Sequence, residues 1–146
     1  MFVGDDFNNS GFSAIYQFST GTSLATQTSP NKATVSQNSA SAATTLWSGA
    51  FDDTYYSGAG NTGVLYVRGY TKGGSNPTPI RIGMSGTFGA SITATTNDIA
   101  GPGQTCSPLT TFSNNGTQYL FLSTAAGGND PKCNGACAYM PARTET

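Results

Sequence analysis

Acidic residues are the clearest candidates for chemistry in this chain, and four of its seven acidic residues occur as two adjacent pairs. Asp5-Asp6 lies in GDDFNN and Asp52-Asp53 lies in AFDDTYY. Carboxylates near asparagine and backbone carbonyl oxygens form the ligand set that Ca²⁺ prefers. We predict that all four aspartates are metal ligands and that Asp52 and Asp53 are catalytic. The alternative is that both pairs cap turns and accept hydrogen bonds from backbone N–H groups.

The chain has no histidine and three cysteines. The missing histidine excludes Ser-His-Asp and Cys-His catalysis within one chain. Cys133 and Cys137 flank Asn-Gly-Ala, so a turn can bring their sulfur atoms together, and we predict a disulfide between them. A metal half-site is the alternative, although zinc needs two further ligands. Cys106 precedes Ser-Pro and is predicted to be a small buried residue.

Aromatic and basic side chains form the other candidate groups. Trp47, Tyr55 and Tyr56 are close in sequence, and we predict a surface that stacks on a sugar or another small ligand. Packing in the core is the alternative for these rings. A solvated surface role is predicted for four basic residues, Arg68, Arg81, Lys72 and Lys132. The alternative is that they act as general bases or bind anions if they are buried.

The composition predicts an all-β protein. Charged residues make up only 9% of the chain, and good helix formers are scarce beside threonine and the aromatic residues. Eight phenylalanines and seven tyrosines argue against disorder. A net charge of −1 argues against nucleic acid, and no apolar run is long enough for a membrane helix, so we expect neither partner. The Ser/Thr/Gly/Asn-rich surface is typical of a secreted or periplasmic parent protein, whose signal peptide we expect to be absent from this chain.

A strand–loop–strand pattern recurs three times, at residues 2–18, 64–84 and 119–140. The first strands are about 60 residues apart, a spacing that suits four-stranded propeller blades with long loops. The pattern predicts an incomplete first blade at 1–44, a complete blade at 45–97 and an incomplete last blade at 98–146. About ten strands are expected in sets of three, four and three.

Several local features of these blades are also predicted. Residues 5–11 are expected to form a turn, and residues 45–57 a strand with the acidic pair at its centre. SNPTP is expected to interrupt strand pairing before Ile80. Asn114-Asn115-Gly116 is predicted to turn a hairpin, and the last five residues are expected to fray.

The motifs LWSGAFDDTYYSGAGNTGVLYVRG, IYQFSTG and CSPLTTFSNNGTQYLFLSTAAGG resemble secreted bacterial β-propeller proteins of the YVTN/NHL-like type. The resemblance implies a partial propeller. The incomplete first and last blades would leave unpaired strands and apolar faces, so we predict that homo-oligomerisation completes the ring, most simply as a homodimer of about six blades. A larger ring and a monomeric β-sandwich are the alternatives. Because the sequence carries no catalytic motif, we predict an extracytoplasmic binding or assembly module. Because some propeller hydrolases hold calcium in a central channel, a metal-assisted hydrolase of esters, lactones or phosphotriesters is the alternative function, and a structural fragment without a ligand is a third.

Overall fold

A computed structural model describes most of the strand-forming part of the chain. The described residues are 2–8, 12–18, 31–37, 46–58, 62–70, 77–85, 87–94, 107–125, 135–140 and 142–144. They form eleven strands and one short helix. The strands are β1 (Phe2–Asn8), β2 (Phe12–Gln17), β3 (Asn31–Gln37), β4 (Trp47–Phe51), β5 (Val64–Tyr70), β6 (Pro77–Ser85), β7 (Thr87–Ala94), β8 (Thr110–Asn114), β9 (Thr117–Thr124), β10 (Cys137–Tyr139) and β11 (Ala142–Thr144); the helix is α1 (Asp53–Ser57).

The prediction of an all-β protein is confirmed. All strand pairs among the described residues are antiparallel, and α1 is a single helical turn of five residues. Among the described residues, no helix has the length and hydropathy needed to cross a bilayer.

The middle sheet is a meander in the order β4-β5-β6-β7. Its central strand, VLYVRGY, is rich in β-branched and aromatic residues, which fit a pleated and buried surface. The prediction that SNPTP interrupts pairing is wrong from Pro77 onward, because Pro77 pairs with Tyr70 and Pro79 with Arg68. Pairing between β6 and β7 extends no further towards the start of β6 than Ile80. Both prolines therefore lie where β6 has a described partner on one side only, and a missing N–H is tolerated there.

The last sheet is built around β9. Residues 117–119 pair with both β8 and β11, so those two strands lie on opposite edges of β9. Cys137 pairs with Thr124 and Ala142 with Tyr119, a continuous register that makes β10 and β11 one interrupted strand along the same edge. The sheet thus has three strand positions, and the expectation that the last five residues fray is wrong for Ala142–Thr144.

A two-residue turn joins β8 to β9. Asn115 and Gly116 have φ angles of 49° and 75°, and Asn114 pairs with Thr117 across the turn. Two consecutive positive φ angles are characteristic of a type I′ turn, for which Asn-Gly is the preferred sequence. The predicted hairpin is confirmed.

The first sheet has the order β1-β2-β3. Asp5 pairs with Ala14 inside β1, which continues to Asn8. The expected turn at residues 5–11 is therefore wrong for Asp5 and Asp6, which belong to a strand.

The three sheets stack with the middle sheet between the other two. Side chains of β5 alternate between two apolar clusters, one on each face of the sheet. The first cluster joins the middle sheet to the first sheet and contains Ile15, Ala33, Val35, Leu65, Val67, Ile80, Ile82 and Met84. The second joins it to the last sheet and contains Val64, Tyr66, Leu109, Leu120 and Leu122. Because β5 is buried on both faces, the first and last sheets both pack against the middle sheet at this strand.

Gly49 lies at an irregularity in the pairing of β4 with β5, and a substitution there tests how closely the two strands approach each other. A Cβ atom at this position would lie 2.1 Å from the backbone oxygen of Tyr66 and 2.6 Å from Cγ1 of Val67. Because a backbone atom of a buried strand cannot move aside cheaply, Gly49→Ala is expected to lower the free energy of unfolding by about 3 kcal/mol in a denaturant titration.

Gly135→Ala is the matched control, since nothing lies within 4 Å of the corresponding Cβ position. Its expected effect is below about 0.5 kcal/mol. Equal effects of the two substitutions would contradict the close approach of β4 to β5.

Candidate functional site

Asp52 is buried at the junction between β4 and α1. It is the N-cap of α1, and its Oδ1 accepts hydrogen bonds from the backbone N–H of Tyr55 at 3.0 Å and of Val64 at 2.9 Å. Its own N–H donates to the carbonyl oxygen of Val64 at 3.0 Å. The carboxylate therefore closes the connection from the end of β4 to the start of β5.

Gly63 completes this closure from the other side. Its φ is +101°, and a Cβ atom there would lie 2.6 Å from both Oδ1 of Asp52 and the backbone nitrogen of Tyr55. Its carbonyl oxygen accepts a hydrogen bond from Met84 N–H at 2.9 Å, which links the turn to β6. Only glycine combines this φ with such close packing against a carboxylate.

The helical turn overturns the expectation that residues 45–57 form one strand with the acidic pair at its centre. The strand ends at Phe51, and Asp52 accepts backbone hydrogen bonds as the turn-capping alternative requires. Asp53 follows as an exposed residue in the first turn of α1. The two carboxylates thus occupy different environments, one buried and hydrogen-bonded and the other solvated.

The four predicted metal ligands fall into two places in the fold. Asp52 and Asp53 lie next to the middle sheet, whereas Asp5 and Asp6 belong to β1 of the first sheet. Within the described ranges, no three or more His, Cys, Asp or Glu residues form a group that could hold a metal ion. The catalytic and metal-binding roles of these aspartates stay predictions.

Three aromatic rings cluster at the same junction. Phe51 and Tyr55 stack with centroids 4.0 Å apart, and Tyr56 meets Tyr55 edge-on at 5.5 Å. Phe51 and Tyr55 pack against the cluster shared with the first sheet, whereas Tyr56 is 72% exposed. Tyr56 is thus the ring that is accessible for stacking on a ligand, and its other side contacts the ring of Tyr55.

Trp47 does not join this aromatic cluster. It pairs with Arg68 across β4 and β5, and Cζ of Arg68 lies 5.8 Å from the centroid of the Trp47 ring. Arg68 shares its face of β5 with Tyr66, which packs towards the last sheet. Trp47 therefore lies on the face opposite to Phe51 and Tyr55.

Arg68 is fully buried, so the predicted solvated role is wrong for this residue. Its Nη1 donates to the carbonyl oxygen of Ser123 at 3.2 Å, which connects β5 to β9 across the two sheets. Guanidinium groups remain charged in proteins, so this contact places a positive charge in the interior between the middle and last sheets. The burial of Arg68 could not be predicted from the sequence. The alternation of β5 places Arg68 on the same face as Tyr66, but only the structure shows that a sheet covers this face.

Further polar contacts join the same two sheets. Thr111 Oγ1 donates to the carbonyl oxygen of Phe51 at 2.6 Å, and Leu109 N–H donates to that of Ser48 at 2.9 Å. The bonds from Thr111 and Leu109 fix how the last sheet lies against β4. Ser107 and Ser123 form a reciprocal pair within the last unit, since each N–H donates to an oxygen of the other residue, and this pair holds the segment before β8 against β9.

Cys137 is disulfide-bonded. Both other cysteines, Cys106 and Cys133, lie outside the described residues, so their pairing remains a prediction. Cys133, four residues before Cys137, stays the predicted partner.

Other predicted positions lie outside the described residues, namely Lys72 and Lys132. Arg81 is half-buried in β6, opposite Tyr66.

No protein-family model matches the chain, and neither a curated protein sequence nor a solved structure matches it. The resemblance to YVTN/NHL-like proteins therefore stays a prediction that depends on the sequence motifs alone.

The role of Asp52 can be tested by comparing two substitutions. Asp52→Ala removes the acceptor of two backbone N–H groups and is expected to destabilise the fold by about 2 to 4 kcal/mol. Asp52→Asn keeps an oxygen acceptor, because asparagine caps helices about as well as aspartate, and is expected to cost about 1 kcal/mol. Denaturant titrations measure both values.

Asp53→Ala is the control for Asp52, since it removes an exposed carboxylate from the neighbouring residue. Its expected effect stays within about 0.5 kcal/mol. A larger loss from Asp53→Ala than from Asp52→Ala would refute the capping role.

The disulfide assignment can be tested by peptide mapping without reduction. We expect a cross-linked fragment that contains Cys133 and Cys137, together with one free thiol on Cys106. Cys106→Ser should then abolish the thiol titre without altering the cross-link, whereas Cys133→Ser should raise the titre. A cross-link between Cys106 and Cys137 would overturn the assignment.

Proposed function

We propose that this chain is an extracytoplasmic β-propeller segment that self-associates into a closed ring and acts as a binding and assembly module. The supporting observation is the way in which the three sheets meet. Strand β3 lies mainly against β7, with some contact to β5, and β4 lies against β8. In the predicted blades, strands run from innermost to outermost, and the first blade lacks its innermost strand. Strands β3 and β7 are then the outermost strands of their blades, and β4 and β8 are the innermost. The contacts therefore join strands that hold the same position in neighbouring blades.

Such matched contacts are expected when blades are arranged around an axis, because each strand then faces its counterpart in the next blade. The middle sheet has four strands, whereas the described part of the first sheet has three and the last sheet has three strand positions. A second copy can supply the strands and faces that complete both ends of the arc.

The disulfide at Cys137 supports the extracytoplasmic setting, since disulfides persist mainly in oxidising compartments. Tyr56 supports the binding role, because its exposed ring is held against Tyr55 and Phe51 beside the exposed Asp53. An aromatic face with a neighbouring carboxylate suits a small polar ligand such as a sugar.

Light scattering coupled to size exclusion tests the proposed assembly. We expect a mass of two 15.0 kDa copies that persists on dilution through the micromolar range. A single-copy mass at every concentration would refute self-association and would favour a monomeric β-sandwich. A mass of three or more copies would keep self-association and replace the dimer by a larger ring.

A further inference from the structure

The central part of strand β9, residues 119–122, carries large apolar or aromatic side chains on both faces. Leu120 and Leu122 are buried against the middle sheet, while Tyr119 and Phe121 alternate with them and point outward. Phe121 is 39% exposed and Tyr119 is half-buried. A strand that faces water on one side usually carries polar residues there, so this pattern is typical of a strand covered on both faces.

The outward aromatic residues of β9 belong to a continuous patch. Phe112 of β8 is directly opposite Tyr119, with ring centroids 6.4 Å apart, and it is 55% exposed. Met140, 59% exposed, follows β10, where the register places it beside Phe121. We call Phe112, Tyr119, Phe121 and Met140 the outer patch.

The outer patch has the composition of an interface core. The other described side chains that the register places on the outward face are those of Thr110, Asn114, Thr117, Ser123 and Ala138. None of the described side chains on this face is charged, whereas aromatic residues and methionine are the types enriched in interface cores. A face without charge calls for an apolar partner surface rather than for an ionic ligand or nucleic acid.

The outer patch also continues an arrangement that the chain uses twice already. Both faces of the middle sheet are covered by a neighbouring sheet through apolar side chains. The outer patch is the next such face along the same stack. Another sheet of the same kind is therefore the occupant that fits it, and a second copy of the chain carries one.

The first sheet also directs aromatic rings away from the middle sheet. Tyr16 is on the face opposite to Ile15, which packs on the middle sheet, and its ring lies 6.3 Å from that of Phe18. Both rings are partly exposed. The exposed Lys32 is directly opposite Tyr16 on this face, whereas Ala14 on the same face is buried. The two ends of the stack thus each direct aromatic rings outward.

We infer that the outer patch of one copy packs against the Tyr16–Phe18 face of the first sheet of a second copy, which makes the seam of the assembly. This inference rests on the proposed self-association and adds the two surfaces that carry it. In a two-copy ring, each copy contributes both surfaces, so two equivalent seams form.

Sedimentation velocity of the purified chain and its variants tests the seam. Phe112→Asp and Phe121→Asp each place a charge in the outer patch, and Tyr16→Asp places one on the opposite face. Each is expected to raise the dimer dissociation constant about 30-fold or more, the loss typical of a central interface residue. Thr54→Asp is the control, since it adds the same charge at an exposed position of α1 and should leave the constant unchanged.

A mixture of two variants distinguishes this seam from a contact of the outer patch with itself. When Phe112→Asp and Tyr16→Asp are combined, a mixed dimer retains one seam in which both faces are native, so association should recover. Recovery also shows that both variants are folded, and circular dichroism of each variant checks this separately.

The outcomes separate the seam from the proposed function. If the native chain associates but none of the three variants weakens it, the seam is wrong and self-association stands. If the Phe112 and Phe121 variants weaken association while Tyr16→Asp does not, the outer patch pairs with itself and the inferred seam is overturned. If the native chain is monomeric, both the seam and the proposed function fail.

Discussion

Burial of β5 on both faces is the constraint on which the rest of this structure depends. Its side chains from Val64 to Arg68 have no solvent-facing side, so a sheet must cover each face. The first and last sheets meet this requirement through two separate apolar clusters. Hydrophobic burial of this kind stabilises the stack but has little directional preference. Other interactions must therefore fix where the covering sheets lie.

The described contacts that orient the covering sheets differ between the two faces of the middle sheet. At the junction with the first sheet, the described contacts are mainly apolar and include Val35 and Ile82. The junction with the last sheet adds hydrogen bonds from Arg68 and Thr111 to backbone carbonyl oxygens. Such bonds gain strength in a region of low dielectric and tolerate little displacement. The last sheet is thus held in one register against β4 and β5, and its outer patch is presented in a defined orientation.

Local patterns that agree with tertiary structure could be predicted from the sequence. The apolar run of β5 and the Asn115-Gly116 turn both follow from backbone preferences and burial, and both were predictable. The helical turn after Phe51 was not, because tyrosine and threonine favour strands and only the capping contact of Asp52 with Val64, 12 residues away, reverses that preference. Burial of Arg68 was missed for a related reason, since a charged residue indicates solvent until the covering sheet is known. Strand β11 was missed because a short polar segment gives no signal until β9 provides its register.

Apolar residues on alternating faces of a strand have different consequences in β5 and in β9. In β5, apolar residues on alternating faces are satisfied by sheets of the same chain. In β9 the inward residues Leu120 and Leu122 are satisfied in that way, but Phe121 still exposes a large part of its ring. Because apolar side chains on a sheet face lower solubility wherever they are left uncovered, their presence on the outward face of the last sheet argues for a covering surface. Both sheet junctions within the chain bury apolar side chains between two sheets, and a further copy can supply another such sheet. An unrelated ligand would instead have to match a broad sheet face whose described side chains carry no charge.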